Sequence, residues 1–194
     1  MLRVAIDNNV INWKAGQGCH ESIRKDANKH CDYVSIQKLY SLQDAGCVVI
    51  VGVDKVDRER RKTSDASLKS EIDQVWQKCK EKYLLTRFEP SIQSKKSIKS
   101  HQENGINLVD GAHFIDNHDV EKIDEYVDFG NTLEDKVDLE VLATVAIAKV
   151  QVFITVDYRL LNKKHILDFV KQKDNISICR PIEFLDRLAS GDFF

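Results

Sequence analysis

Two short apolar runs, each closed by an aspartate, constrain this chain more than any other feature. Residues 2–6 (LRVAI) lead into Asp7, and residues 150–155 (VQVFIT) lead through Val156 into Asp157. Continuous apolar runs of this length, rich in β-branched residues, suit strands buried on both faces, as in a parallel sheet. Residues 47–53 (CVVIVGV), which follow the turn signal Asp44-Ala45-Gly46, and residues 176–179 (ISIC) read the same way. Between the 2–6 and 47–53 runs Tyr33, Ile36 and Tyr40 fall at helical spacing. A parallel pair needs a crossover, so this stretch predicts a βαβ unit.

From Ser64 onward, Leu68, Ile72, Val75, Trp76, Cys79 and Tyr83 keep a helical period and predict an amphipathic helix with Cys79 on its buried face. Residues 89–107 carry a proline, serines, lysines and a glycine, the composition of a long loop or insertion. The acidic stretch 110–140 reads as a solvated face with a short helix around 120–127. Thr132, with Asp135 shortly after it, resembles a helix N-cap, and Val141, Leu142, Val145 and Ala146 then supply an apolar helical face. A basic helix is expected over 160–171, and Pro181 opens a last one through Leu188. Strands that alternate with helices make the class α/β. The expected architecture is a three-layer α/β/α sandwich around a central, mainly parallel sheet, with a long insertion in the middle. With 194 residues the chain is long enough for one full core. Residues 1–194 read as a single domain in which about 63–130 form the insertion.

Composition narrows the function. A formal net charge of −2 and a pI near 6.3 exclude a basic protein that coats nucleic acid through bulk electrostatics, so any such contact must come from local patches or a bound metal. The five cysteines are odd in number and include no CxxC pair, which argues against a disulfide framework and for small core hydrophobes. No stretch approaches the roughly 18 apolar residues of a membrane span, and Asp7 interrupts the apolar start. The expectation is a cytoplasmic protein with no membrane partner.

In an open parallel sheet, ligands bind in the crevice beyond the carboxyl ends of the strands. Asp7 and Asp157 each follow such an end. Asp138, near the start of the helix that leads into the 150–155 strand, would be returned to the same rim. Converging carboxylates repel one another and raise each other's pKa, a cost that a divalent cation removes. An all-oxygen, carboxylate-rich site selects Mg²⁺ or Mn²⁺. Taken singly, an aspartate after a strand is as often a helix cap or turn residue.

In combination these residues resemble the PIN-domain family of metal-dependent nucleases. Asp7-Asn8-Asn9-Val10 after an apolar strand is similar to its opening motif. The span from Asp138 through Val141, Ala143 and Val145 to Thr155-Val156-Asp157, with a step of 19 positions from the first aspartate to the last, is similar to its closing motif. Residues 176–190 also fit the family's C-terminal end, whereas the middle of the chain matches nothing in it. The resemblance implies a Mg²⁺- or Mn²⁺-dependent endonuclease, chiefly a single-strand-selective endoribonuclease. Its metal would sit on Asp7, Asp138 and Asp157. A fourth catalytic acid is expected on the helix after the second strand, where distance from the strand favours Asp57 and Glu59 is the alternate. Asn9 would orient Asp7, and Thr155 would hydrogen-bond Asp157 or a metal-bound water. Arg58, Arg61, Lys62 and Arg159 are the candidate phosphate contacts, with a plain solvated surface as the competing reading.

Single-stranded RNA is thus the expected partner. A small stand-alone member of the family would be a toxin held by an antitoxin protein or a defence nuclease, and a homodimer is left open. Two rivals stand beside this reading. One is a PIN-like scaffold without catalysis. The other, weaker, is a haloacid-dehalogenase-type phosphatase, which needs a second acid where this chain has Asn9.

Overall fold

Residues 1–16, 21–86, 112–114, 117–133 and 139–193 are described by the structure, a computed structural model. Strands β1 (Leu2–Ile6), β2 (Val48–Val53), β3 (Glu81–Thr86), β4 (Ala112–Phe114), β5 (Val152–Ile154) and β6 (Ser177–Cys179) form one sheet. Its order is β4-β3-β2-β1-β5-β6, and every neighbouring pair is parallel. Helices flank it: α1 (Asn8–Lys14), α2 (Glu21–Lys25), α3 (Ala27–Asp44), α4 (Asp54–Arg60), α5 (Ala66–Gln77), α6 (Asn117–Asn131), α7 (Glu140–Ile147), α8 (Tyr158–Leu161), α9 (Lys164–Asp174) and α10 (Pro181–Ser190). The fold is a three-layer α/β/α sandwich.

The central strands carry the core. Every residue of β2 is buried, as are Val4, Ala5 and Ile6 of β1 and all of β5. Each fully buried aliphatic side chain contributes roughly 1.5–3 kcal/mol of transfer free energy. Helices cover both faces, which is why these strands read as unbroken apolar runs rather than alternating ones. Helix α3 makes the crossover expected between β1 and β2. Asp26 caps it by accepting from the Asn28 and Lys29 N–H groups. Gly46, with φ at +76°, turns the chain where a side chain would be strained.

Two local readings change. The helix expected to run to Tyr83 stops at Gln77, and Tyr83 lies in β3, paired with Val53. Gln43, buried at the end of α3, supplies the reason. Its amide donates to the Lys78 carbonyl (2.8 Å) and its carbonyl accepts from the Ile50 N–H (3.0 Å) and the Lys80 N–H (3.4 Å). These bonds fix a turn at 78–80 that a continued helix would break. Cys79 is buried, but in that turn. Thr132 does not cap α7 either. Its hydroxyl donates back to the Phe129 carbonyl at the end of α6 (2.7 Å), and Leu139 precedes α7 with no side-chain cap. Asp135 and the expected 89–107 loop lie outside the described residues. Within the span expected as an insertion, β3 and β4 extend the sheet beyond β2. Of the cysteines described, Cys79 and Cys179 are core residues whose thiols burial pushes up to about 12, whereas Cys31 and Cys47 are exposed.

Gly52 in β2 faces Trp76 of α5 so closely that an added Cβ would lie 2.5 Å from the indole ring. Gly52→Ala should therefore lower stability by about 1–3 kcal/mol, the usual cost of overpacking a filled core. Urea unfolding at constant m checks it, and an unchanged midpoint would mean that the indole has room to move.

Candidate active site

The strand order reverses at β1. From there the chain builds outward through β2, β3 and β4, then returns to place β5 on the other side of β1 and β6 beyond it. In parallel sheets the crevice at such a switch point, outside the carboxyl ends of the strands, is where ligands bind. Ile6 pairs with Ile154, and the Asp7 N–H continues the ladder to the Ile154 carbonyl (3.0 Å). Asp7 therefore leaves β1 beside the residues that leave β5.

Thr155 joins the two exits. Fully buried, it donates its hydroxyl to Asp7 Oδ2 (2.7 Å) and accepts from the Asp157 N–H (2.9 Å). The Asn9 amide also donates to Asp7 Oδ2 (3.2 Å). Asp7 stands at the start of α1 but makes no side-chain cap there; tertiary partners hold its carboxylate instead. Loss of water around Asp7 raises its pKa above the ordinary carboxylate value. The bonds from Thr155, the Asn8 backbone and Asn9 oppose the rise, and the charge of Asp157 adds to it. Asn8 Oδ1, one residue on, is buried with no hydrogen-bond partner among the described residues. Asp7, half-buried, and Asp157, close enough for its charge to be felt, thus bring two carboxylates to one point of the rim.

Asp157 has a second occupation. Its side chain accepts from the Arg159 N–H (2.9 Å) and so caps α8, while the exposed Arg159 guanidinium stands 3.4 Å from the same oxygen. Cap and site residue are compatible here, since the cap engages Oδ1 alone. Asp138 lies outside the described residues. Among those described, no group of three or more His, Cys, Asp or Glu side chains is arranged to hold a metal.

Asp57 is buried on α4, where its carboxylate is taken by Arg60 (2.8 Å) and Arg61 (2.7 Å). Arg60 lies over the Trp76 ring and reaches Asp73, which ties this cluster to α5. Glu59 is partly buried on the same helix, and Lys62 is exposed just beyond it. Arg58 pairs with Glu140 in the first turn of α7, and Lys55 joins them (3.0 Å). Burial would raise the Glu140 pKa, but the two cations more than offset it and hold the carboxyl below its usual value. Because α7 runs antiparallel to the strand it feeds, Lys55, Arg58 and Glu140 belong to the carboxyl rim. Lys55 and Glu140 carry no local signal: they are 85 positions apart and meet only through packing of α4 on α7.

No protein-family model, curated protein or solved structure matches the chain. The likeness to PIN domains is therefore one of sequence motifs alone.

The raised pKa of Asp7 has a definite sign. Its protonated form is favoured by folding, so its ionisation penalises the fold as pH rises from the unfolded value, about 3.9, through the raised folded one. In EDTA, Asp7→Asn should melt at a temperature equal to or above wild type at pH 7. That advantage should shrink as the pH is lowered towards 4. A variant that melts lower at pH 7 would show that the hydrogen bonds outweigh the burial.

Proposed function

We propose that this chain is a divalent-metal-dependent phosphodiesterase of the PIN kind, a nuclease acting on single-stranded RNA. The observation that carries the reading is the convergence of Asp7 and Asp157 at the switch point, tied through one buried hydroxyl. Desolvating a carboxylate and placing a second acid beside it destabilises the fold unless a cation answers it, and perturbed acids of this sort cluster at functional sites.

Asp7 and Asp157 would hold the metal, with Asp138 as the third ligand that the motif supplies. A bound Mg²⁺ or Mn²⁺ would polarise the scissile phosphate and lower the pKa of a bound water. The protein's own part is positional. Thr155 and Asn9 fix the direction of the Asp7 carboxylate, and the rim's burial strengthens every charge interaction within it. Lys55 and Arg58, held by Glu140, lie on the same rim and would add positive charge along a nucleic-acid backbone. In this arrangement Asn9 donates to Asp7 and carries no acidic proton, which weighs against the dehalogenase-type phosphatase. One observation favours a non-catalytic PIN-like scaffold: the arginines on Asp57 occupy the acid expected to complete the site.

Labelled single-stranded RNA and DNA oligonucleotides, incubated with purified protein and Mg²⁺ or Mn²⁺, decide between these. RNA cleavage should stop in EDTA. Asp7→Asn and Asp157→Asn should each lower the rate by more than the roughly 10–100-fold typical of changes around a metal ligand, with the fold intact by circular dichroism. Cleavage that persists in EDTA and in both variants would place the activity elsewhere. A wild-type protein that binds RNA but cleaves nothing would support the scaffold.

A further inference from the structure

Directly after Asp157, Tyr158 enters a buried polar cluster that the proposed chemistry does not use. Its hydroxyl donates to Asp32 Oδ2 (2.7 Å). Asp32 is fully buried on α3 and also accepts from Arg180 Nε (2.9 Å) and from the Ile182 N–H (3.3 Å). Arg180 donates in addition to the Asn28 carbonyl (3.2 Å) and lies over the Tyr158 ring. The three residues come from the start of α8, the second turn of α3 and the residue that precedes α10. All three helix starts lie on the carboxyl rim, because α8 and α10 follow strands and α3 runs antiparallel to the strand it feeds.

A buried carboxylate is costly, and a cluster that only held helices together would be replaceable by apolar packing. What sets this one apart is its place in the chain. Asp157 is fastened on its amino side, where its N–H meets Thr155, and on its carboxyl side, where the next residue is anchored by the Tyr158 hydroxyl.

We infer that Tyr158, locked by Asp32 and Arg180, is a positioning residue that sets where the Asp157 carboxylate stands relative to Asp7. The inference rests on the proposed metal site, and it predicts a defect of placement rather than of stability alone.

Tyr158→Phe removes the hydroxyl and keeps the ring. The matched control is Tyr126→Phe. Tyr126 is fully buried where Tyr158 is half-buried, and its hydroxyl likewise donates to a carboxylate, Asp174 (2.7 Å), at the end of α9 and so on the opposite rim. Two measurements are made on wild type and both variants: Mn²⁺ affinity by calorimetric titration, and metal-free hydrogen exchange of the peptide spanning 155–162. Tyr158→Phe should weaken Mn²⁺ binding by about tenfold, in the range seen for groups that orient metal ligands, and should speed exchange in that peptide. Tyr126→Phe should lose comparable thermal stability and change neither readout. Wild-type affinity in Tyr158→Phe, or unchanged exchange in 155–162, overturns the inference. So does an equal loss of Mn²⁺ affinity in both variants. If wild type itself binds no Mn²⁺ while Tyr158→Phe still loosens the 155–162 peptide and Tyr126→Phe does not, the metal reading fails and the positioning role stands.

Discussion

Parallel pairing of β1 with β5 is the constraint on which the rest of this molecule depends. The two strands are far apart in the chain, yet their register sets Ile6 against Ile154 and so delivers Asp7 and Thr155 to the same point of the rim. A slip of one residue would turn every side chain of β5 to the other face and remove the Thr155 hydroxyl from Asp7. That register is held by burial. Val152, Phe153 and Ile154 are all in the core, where each is fitted against a different helical layer or neighbour, so a slip would mismatch the packing on both faces.

The rim built on this pairing contains a conflict that its surroundings only partly resolve. Asp7 gives up hydration and receives two side-chain hydrogen bonds in return, one from Thr155 and one from Asn9. Those bonds favour the ionised form, but burial and the nearby Asp157 charge work against it, and the balance lies with the latter. Among the described residues, three other buried or half-buried acids have cationic partners. Asp32 has Tyr158, Arg180 and a backbone N–H; Asp57 has two arginines; Glu140 has Lys55 and Arg58. The contrast sets Asp7, which has no cationic partner among the described hydrogen bonds and ion pairs, apart from these three and makes it the group on which the proposed metal site is built. Local departures from a well-satisfied structure are expected at functional sites.

The helices around the rim are fastened by side chains rather than by apolar contact alone. Gln43 closes the turn between α5 and β3, the Asp57 cluster joins α4 to α5, and the Asp32 cluster joins α3, α8 and α10. The Gln43 and Asp32 knots bridge elements distant in sequence, whereas the Asp57 cluster ties two consecutive helices. Each also fixes a segment that leads into or out of a strand, so the crevice inherits its shape from them.

Most of the architecture was legible from the chain alone. Unbroken apolar runs marked β1, β2 and β5 because strands buried on both faces need no alternation, and the short 176–179 run marked β6 at the edge of the sheet. The punctuation at Gly46 and Pro181 placed a turn and a helix start, since backbone preference is a local property. Asp7 and Asp157 could be recognised as a pair because each ends such a run, and Asn9 could be linked to Asp7 because the two are neighbours. Tertiary structure alone decided the remainder. The period from Leu68 to Tyr83 suits a helix throughout, and only pairing with β2 and the Gln43 bonds make its last part a strand. Asp57 lies at a plausible distance from β2, but which partner claims its carboxylate depended on how α4 rolls against α5. Asp32, Tyr158 and Arg180 have no local pattern at all, because Asp32 and Tyr158 are 126 positions apart and Asp32 and Arg180 are 148 apart. Hydrophobic period and turn chemistry are written within a few residues, whereas the pairing of buried charges is settled by which helix ends the packed sheet brings together.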